Sequence, residues 1–211
     1  MAEKKAGVIV ILSSPSGAGK TSLVKKISSR EKFRISISHT TRKPRINEIN
    51  GKDYFFIKNN EFKKLIKQKK FLEYAKVFKN YYGSLKKTVT NKLEKGENII
   101  FDIDWQGTQQ IKRKKLKYKI LTIFILPPSK KELFKRLLKR DQKDKKIANE
   151  RMKQFKADIM HWKDYDLTVI NDKIEKCYKE IINFIKNEKK IKKKLVLNKK
   201  FIKSHIQNLI S

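Results

Sequence analysis

The sequence predicts an α/β fold built around a parallel sheet, and two observations support that prediction. Short apolar, β-branched runs recur along the chain at 8–12, 98–103, 120–126 and 167–170. Each of the first three is followed by a stretch whose apolar residues have helical spacing. Continuous apolar runs are typical of strands buried on both faces, and strands that alternate with helices favour a parallel sheet covered by helices.

The first unit is a strand, a turn of small residues and a helix. Val8–Leu12 is the predicted strand, and the residues at 13–19 form the turn. The helix predicted over 20–29 places its apolar residues three and four positions apart, which indicates one buried face.

The later strands are followed by helices as well. Helical spacing recurs over 106–114 and 130–139, and Ser129 is placed to cap the second of these helices. After the last strand, an amphipathic helix is predicted over 175–188. The lysine-rich tail from 186 to the end is expected to be a terminal helix, partly frayed.

Two stretches depart from this alternation of strands and helices. Residues 35–96 are rich in Phe and Tyr, and we predict an inserted, mostly antiparallel subdomain of short strands and turns there. Residues 136–158 are highly charged with few large apolar side chains, which suits a mobile lid better than a core.

The formal net charge of +34 is extreme for 211 residues. One explanation is a polyanionic partner such as nucleic acid. The other is compositional bias, since the excess is mostly lysine and accompanies many Ile and Asn residues, which share A/T-rich codons. Lysines are spread over the whole chain and no base-reading motif accompanies them, so we favour bias and expect no specific nucleic-acid partner.

Other features of the composition narrow the class of protein further. No apolar run approaches the roughly 20 residues that span a bilayer, and the first residues do not read as a signal peptide, so we expect no membrane partner. Cys177 is the only cysteine, which excludes an intrachain disulfide and fits a reducing cytoplasm. The sequence is compatible with a monomer and with a homo-oligomer.

The turn after the first strand contains the core of a phosphate-binding loop. Gly17–Thr21 reads Gly-Ala-Gly-Lys-Thr, and Ser14 stands where the full pattern has glycine. Backbone N–H groups of such a loop point at phosphate oxygens, while Lys20 would reach the β- and γ-phosphates of ATP and the Thr21 hydroxyl would bind Mg²⁺. The expected ATP contacts here are Ser14, Pro15, Ser16, Gly17, Ala18, Gly19, Lys20, Thr21 and Ser22.

Five further motifs follow this loop in a fixed order. They are Ser36–Arg45, Asn50–Phe56, Phe71–Ala75, Asn80–Ser84 and Asp102–Gly107. Their residues and spacing closely resemble the guanylate kinase family, over nearly the whole chain from about residue 8 to about residue 185. The resemblance implies a P-loop nucleoside monophosphate kinase that transfers the γ-phosphoryl group of ATP to GMP, giving ADP and GDP, with Mg²⁺ as cofactor.

The resemblance also implies three parts. A P-loop core would comprise 1–37, 97–127 and 159–211, with the basic tail at its end. A GMP-binding subdomain would be inserted at 38–96 and a lid at 128–158.

Residues of the inserted subdomain take their roles from the same resemblance. Arg42 and Arg45 would grip the GMP phosphate with their planar forks. Glu73 would accept from guanine N1–H and the 2-amino group. The remaining GMP contacts would come from Tyr54 and Tyr82 on the phosphate and from Ser38 and Ser84 on the base edge.

The acidic residues of the last motif have two open roles. Asp102 and Asp104 end a buried strand, where α/β proteins bind ligands, and either would hold Mg²⁺ through water or orient the GMP ribose and phosphate. Asp102 is therefore a candidate to share the metal with Thr21.

Arginines of the predicted lid complete the set. Arg136, Arg140 and Arg151 match positions where the family places arginines near the ATP phosphates, and with Lys20 and Arg42 they form the predicted catalytic group. Family members commonly have Gly-Arg-Gly around the second of these, whereas this chain has Lys139-Arg140-Asp141, which implies a stiffer hinge. Asn171 resembles the stretch beside the adenine of ATP.

Three rival functions remain open from the sequence. A sugar-phosphate kinase of the same fold would leave Glu73, Ser38 and Ser84 without a guanine edge. A non-catalytic module of the same family generally loses phosphate-loop residues, whereas Lys20 and Thr21 are intact. A nucleic-acid-binding protein is suggested by net charge alone.

Overall fold

The computed structural model describes residues 6–140 and 144–210, and for 188–198 it describes the backbone alone. It has the α/β fold predicted from the sequence, with a parallel central sheet. The chain forms two compact units: Met1–Ile11 with Glu31–Ile120, and Leu12–Arg30 with Leu121–Ser211. We call these the first unit and the second unit.

Nine strands are found in the described part of the chain. They are β1 (Ile9–Ser13), β2 (Arg34–Ser36), β3 (His39–Thr40), β4 (Phe55–Phe56), β5 (Phe71–Val77), β6 (Asn80–Leu85), β7 (Ile99–Asp102), β8 (Ile120–Leu126) and β9 (Leu167–Ile170). The strands predicted at 120–126 and 167–170 have the observed bounds, and the other two predicted strands differ by one residue at each end.

Seven α-helices and one short 3₁₀ helix belong to the same described residues. The helices are α1 (Lys20–Arg30), α2 (Asn59–Lys67), α3 (Lys86–Glu94), α4 (Trp105–Arg113), α5 (Lys130–Arg140), α6 (Lys145–Ile159) and α7 (Ile174–Ile210), with the 3₁₀ helix Met160–Asp164 after α6. Ser129 caps α5 as predicted, since its Oγ accepts from the backbone N–H of Glu132 at 3.1 Å. Helical geometry in α7 is interrupted at Asn187.

The parallel strands occupy both units, with β1 contributing to each. In the first unit the strand order is β2–β7–β1, and β2 runs parallel to β7 with Ile35 opposite Ile100. In the second unit the order is β1–β8–β9, with β8 and β9 parallel. Every residue of β1 is buried, as expected for a strand covered on both faces.

The first unit also contains a second sheet, in the order β4–β3–β6–β5. β6 pairs antiparallel with both β3 and β5, and β3 pairs parallel with β4. The prediction of mostly antiparallel pairing is therefore confirmed, whereas the inserted subdomain itself stays a prediction. The same stretch contains α2, which buries Phe62, and α3, which buries Val89 and Leu93.

Each unit has an apolar core of its own. The first-unit cluster forms around β1, β7 and α4 and includes Ile9, Phe101 and Ile111. The second-unit cluster includes residues of β8, α5, α6 and the end of α7, among them Leu126 and Phe155.

Residues 136–158 contribute more to that second core than their charge suggests. Leu137 is 0% exposed and Phe155 is 2% exposed, and both belong to the second-unit cluster. The expectation that this stretch is unsuited to a core is wrong, because a few apolar residues at helical spacing suffice to bury one face. Its role as a lid, and the division into three parts, remain predictions. Asp141 of the predicted hinge lies outside the described residues.

No helix in the described part of the chain is long and apolar enough to cross a membrane.

Candidate active site

The phosphate loop lies between β1 and α1 and belongs to the second unit. Gly17 and Gly19 have φ angles of 87° and 93°, which side-chain-bearing residues rarely adopt. Ala18 donates its backbone N–H to Pro15 O at 3.4 Å and closes the turn. Lys20 begins α1, so its side chain and the first N–H groups of the helix share one end of the loop.

Leu133 and Leu137 of α5 pack against this loop. A Cβ built on Gly17 would lie 2.9–3.0 Å from their side chains. Glycine is thus required here both for its backbone angle and for the space that these leucines occupy.

Asn171, at the end of β9, supports the loop from the other side. Its Nδ2 donates to Ala18 O at 2.8 Å, and its own backbone N–H donates to Leu126 O at 2.8 Å. The side chain is 5% exposed, and a Cβ at Gly19 would collide with its amide nitrogen. The structure therefore places Asn171 on the phosphate-loop backbone, and its predicted place beside adenine stays a prediction.

The predicted lid arginines come together around the same loop. Arg151 Nη1 donates to Ser16 Oγ at 2.9 Å, and Arg140 Nη1 approaches the same hydroxyl at 3.5 Å. Arg136 pairs with Glu132 at 3.0 Å, and its Nη2 donates to Asn171 O at 3.3 Å. We call the loop residues Ser14–Ser22, with Arg136, Arg140, Arg151 and Asn171, the P-loop site.

A second group of predicted residues lies in the first unit. Glu48 binds both of the predicted arginines: Arg42 Nη2 donates to the two carboxylate oxygens at 2.8 Å each, and Arg45 donates through Nη1 at 3.1 Å and its backbone N–H at 2.9 Å. The two guanidinium groups thus converge on one carboxylate, and their binding of the GMP phosphate stays a prediction.

This pairing shifts the pKa of both partners. Burial acts to raise the pKa of Glu48, but the Arg45 backbone N–H and the hydrogen bond and charge of Arg42 outweigh it, so the pKa is lowered. Burial acts to lower the pKa of Arg42, but hydrogen bonds to Glu48 and Tyr82 and the charges of both partners outweigh it, so that pKa is raised. Both groups stay ionised at neutral pH.

Aromatic rings hold Arg42 in place. Its guanidinium carbon lies 5.4 Å from the ring centroid of Tyr54 and 5.8 Å from that of Phe56. Tyr54 in turn meets Tyr82 edge to face at 5.9 Å. The two predicted tyrosines and the arginine therefore form one cluster.

The predicted base-edge residues form a buried polar group. Glu73 on β5 is the register partner of Ser84 on β6, so the two side chains share a face of the sheet. Ser84 Oγ lies 3.2 Å from Ser38 Oγ, and the exposed fractions of Ser38, Glu73 and Ser84 are 5%, 3% and 0%. We call this group, together with Arg42, Arg45, Glu48, Tyr54 and Tyr82, the acceptor site.

The start of α4 lies against this group. Asp104 caps the helix, since its Oδ1 accepts from Gly107 N at 2.9 Å, and Asp102 is half-buried at the end of β7. A Cβ built on Gly107 would lie 2.5 Å from Glu73 Oε2. Absence of a side chain at Gly107 is what allows the buried carboxylate to approach the helix.

Comparison with known proteins identifies the family. The guanylate kinase family profile matches residues 6–188. The chain belongs to the guanylate kinase family. It is 47% identical over 173 residues to the guanylate kinase of Blochmanniella floridana, covering 81% of each chain. It is 45% identical over 187 residues to that of Rickettsia prowazekii, covering 88% of this chain and 94% of the relative.

A solved structure gives the same result. The crystal structure of guanylate kinase from Anaplasma phagocytophilum has a TM-score of 0.70 and 34% sequence identity, covering 88% of this chain and 87% of that one. The chain is accordingly a kinase of the nucleoside monophosphate class.

Two residues of this guanylate kinase family member are not predicted by sequence reasoning. Glu48 lies between two motifs and reads as a solvated loop charge, although a carboxylate three residues after one arginine and six after another is a detectable signal. Gly107 can be recognised in the sequence only as part of a motif. Its effect on Glu73 cannot be predicted there, because the two residues are 34 positions apart and only the fold brings them together.

Proposed function

We propose that this protein transfers the γ-phosphoryl group of ATP to GMP and releases ADP and GDP. The observation that supports it most is the buried Ser38–Glu73–Ser84 group beside two convergent arginines. A carboxylate accepts from the N1–H and 2-amino groups of guanine, a paired donor edge that adenine lacks.

The acceptor site fixes GMP. Arg42 and Arg45 would receive the phosphate, since both guanidinium groups already face a single anion. Tyr54 and Tyr82 would donate phenolic O–H groups to it. Holding both the phosphate and the base would leave bound GMP with one orientation.

The P-loop site compensates charge. Backbone N–H groups of the loop and Lys20 would contact the ATP phosphates, and Arg136, Arg140 and Arg151 would add positive charge as negative charge spreads over the transferred group. The acceptor oxygen of GMP is ionised at neutral pH, so transfer needs no general base.

Magnesium fits the available donors. No group of three or more His, Cys, Asp or Glu side chains in the described residues could hold a metal alone. Thr21 has an exposed side chain in the first turn of α1, which suits a cation held mostly by nucleotide phosphates and water. When bound, Mg²⁺ would neutralise phosphate charge, and either Asp102 or Asp104 remains a candidate for a water-mediated contact.

A coupled assay of ADP release tests this function. GMP should be phosphorylated well, dGMP less well, and AMP about 10⁴-fold more slowly, because adenine would leave the Glu73 carboxylate opposite an acceptor. Ribose 5-phosphate should be inert. Similar turnover of AMP and GMP, or turnover of ribose 5-phosphate alone, would contradict the proposal.

The proposal includes a cytoplasmic location and no specific nucleic-acid partner, with the net charge of +34 assisting capture of nucleotides. Binding to RNA or DNA should be weak, show no sequence preference and fall steeply with salt. A salt titration of RNA affinity and GMP affinity on one preparation checks this. A sequence-selective complex at physiological salt would overturn it.

A further inference from the structure

The last turns of α7, residues 199–210, have one apolar face that is buried. Ile202, Ile206 and Leu209 recur at helical spacing and are 3%, 4% and 2% exposed. Phe201, outside this buried face, is 63% exposed. We call residues 199–210 the terminal segment. It lies beyond residues 6–188, which match the family profile.

The buried face joins the core that holds α5 and α6. Leu133 and Leu137 of α5 and Phe155 of α6 belong to the same apolar cluster as the buried residues of the terminal segment. The cluster therefore includes residues from both helices that bear the arginines of the P-loop site.

One hydrogen bond attaches the terminal segment at a specific point. His205 Nε2 lies 2.9 Å from Pro127 O, and because a carbonyl only accepts, the nitrogen is the donor. Pro127 directly follows β8 and stands three residues before α5 begins. The bond thus attaches the terminal segment to the chain three residues before α5.

A chain of contacts leads from there to the phosphate loop. Leu133 and Leu137, in the cluster with the terminal segment, are the same side chains that pack at Gly17. Arg136 stands beside Leu137 on α5 and reaches Asn171 O, while Arg151 of α6 reaches Ser16 Oγ. A shift of either helix would move its arginine away from the loop.

We infer that the terminal segment is a positioning element of the P-loop site, which holds α5 and α6 where their arginines reach the loop. This inference rests on the proposed function only in taking a nucleotide as the ligand of the P-loop site. Its test measures binding and does not require turnover. It assigns no chemistry to the segment, whose residues act through α5 and α6.

Four single substitutions in the full chain test the inference. Ile206→Ala removes buried apolar contact, and His205→Ala removes the bond to Pro127. His205→Gln keeps an N–H donor at similar reach, and Phe201→Ala changes an exposed side chain of the same helix. We expect the first two to weaken MgADP binding, measured by calorimetry, by about 5- to 100-fold.

The matched measurements separate positioning from general loss of structure. GMP affinity should stay within about twofold in all four variants, because the substituted residues belong to the second unit and the acceptor site belongs to the first. His205→Gln and Phe201→Ala should bind MgADP as the unaltered protein does. In His205→Ala, hydrogen exchange should accelerate in α5 and α6 but not in β5 and β6.

Unchanged MgADP affinity in a folded His205→Ala variant would overturn the inference, and so would equal losses for MgADP and GMP. If Ile206→Ala fails to fold, the comparison of His205→Ala with His205→Gln decides whether the inference holds. Calorimetry needs no phosphoryl transfer, so an inactive wild-type protein would refute the proposed function while leaving the inference testable.

Discussion

The P-loop site and the acceptor site, which we propose to bind phosphate, surround their arginines in different ways. In the P-loop site, backbone N–H groups and a helix end would form the phosphate cradle, and Arg140 and Arg151 donate to a neutral hydroxyl, that of Ser16. In the acceptor site there is no such loop among the described residues, and Arg42 and Arg45 meet a carboxylate, that of Glu48.

This difference predicts different consequences of substitution. Arg140 and Arg151 donate to a hydroxyl, and their charge should compensate negative charge as it develops, so replacing either should lower kcat. Cations already paired with a carboxylate are held in position by it, so changes in the acceptor site should act on GMP affinity and on discrimination between bases.

The largest effect is expected for Lys20→Ala. Loss of this ammonium removes charge compensation at the β- and γ-phosphates, so kcat should fall by about 10²- to 10³-fold or more. Circular dichroism should show an intact fold, because Lys20 is half-buried at the loop and belongs to neither core cluster. Lys25→Ala, exposed on the same helix, is the control. A folded variant with near-normal turnover would mean that the loop has been assigned wrongly.

Gly107→Ala should have a smaller and more selective effect. The added Cβ would displace the Glu73 carboxylate and weaken a charged hydrogen bond to guanine, so KM for GMP should rise roughly tenfold. KM for ATP should not change. Alanine normally stabilises a helix relative to glycine by roughly 0.5–1 kcal/mol. Weaker GMP binding with the helix intact would therefore be attributed to displacement of the Glu73 carboxylate.

Lys112→Ala, on an exposed part of the same helix, is the matched control for this substitution. If Gly107→Ala and Lys112→Ala gave the same KM for GMP, the contact between the helix and Glu73 would have no part in binding.

The smallest effect concerns pH. The pKa of Glu48 is lowered from its ordinary value of 4.5 in the folded protein. Its ion pairs therefore add stability that is fully present above about pH 4.5 and is lost as the pH falls through the folded-state pKa. Glu48→Gln should be less stable than the unaltered protein at pH 7, and the difference should shrink below pH 4.5, as measured by urea unfolding. Glu94→Gln, exposed on α3, controls for the loss of charge alone. A difference in stability that grows as the pH falls below 4.5 would contradict the lowered pKa of Glu48.

How far the sequence predicts each site follows from how each is built. The phosphate loop is contiguous and depends on backbone geometry, so Gly17–Thr21 and the flanking strand and helix can be recognised directly. The buried strands β8 and β9 are predicted equally well, because a short, continuous, β-branched apolar run is typical of a strand covered on both faces.

The acceptor site depends on pairing between strands that are distant in sequence. Ser38, Glu73 and Ser84 are brought together by the register of β3, β5 and β6, so family resemblance alone suggests them. Helices α2 and α3 escape prediction because each has only nine residues and few apolar side chains, so the helical spacing is short. The buried face of the terminal segment is masked by its lysines.

Calorimetry on Glu73→Gln and Arg151→Ala, titrated separately with GMP and with MgADP, tests the central claim most directly. We predict that Glu73→Gln weakens GMP binding by about 10- to 100-fold and leaves MgADP binding unchanged, because one charged hydrogen-bond acceptor is lost in the acceptor site only. Arg151→Ala should weaken MgADP binding and leave GMP binding unchanged. Undiminished GMP affinity in Glu73→Gln would contradict the claim that this buried carboxylate selects guanine.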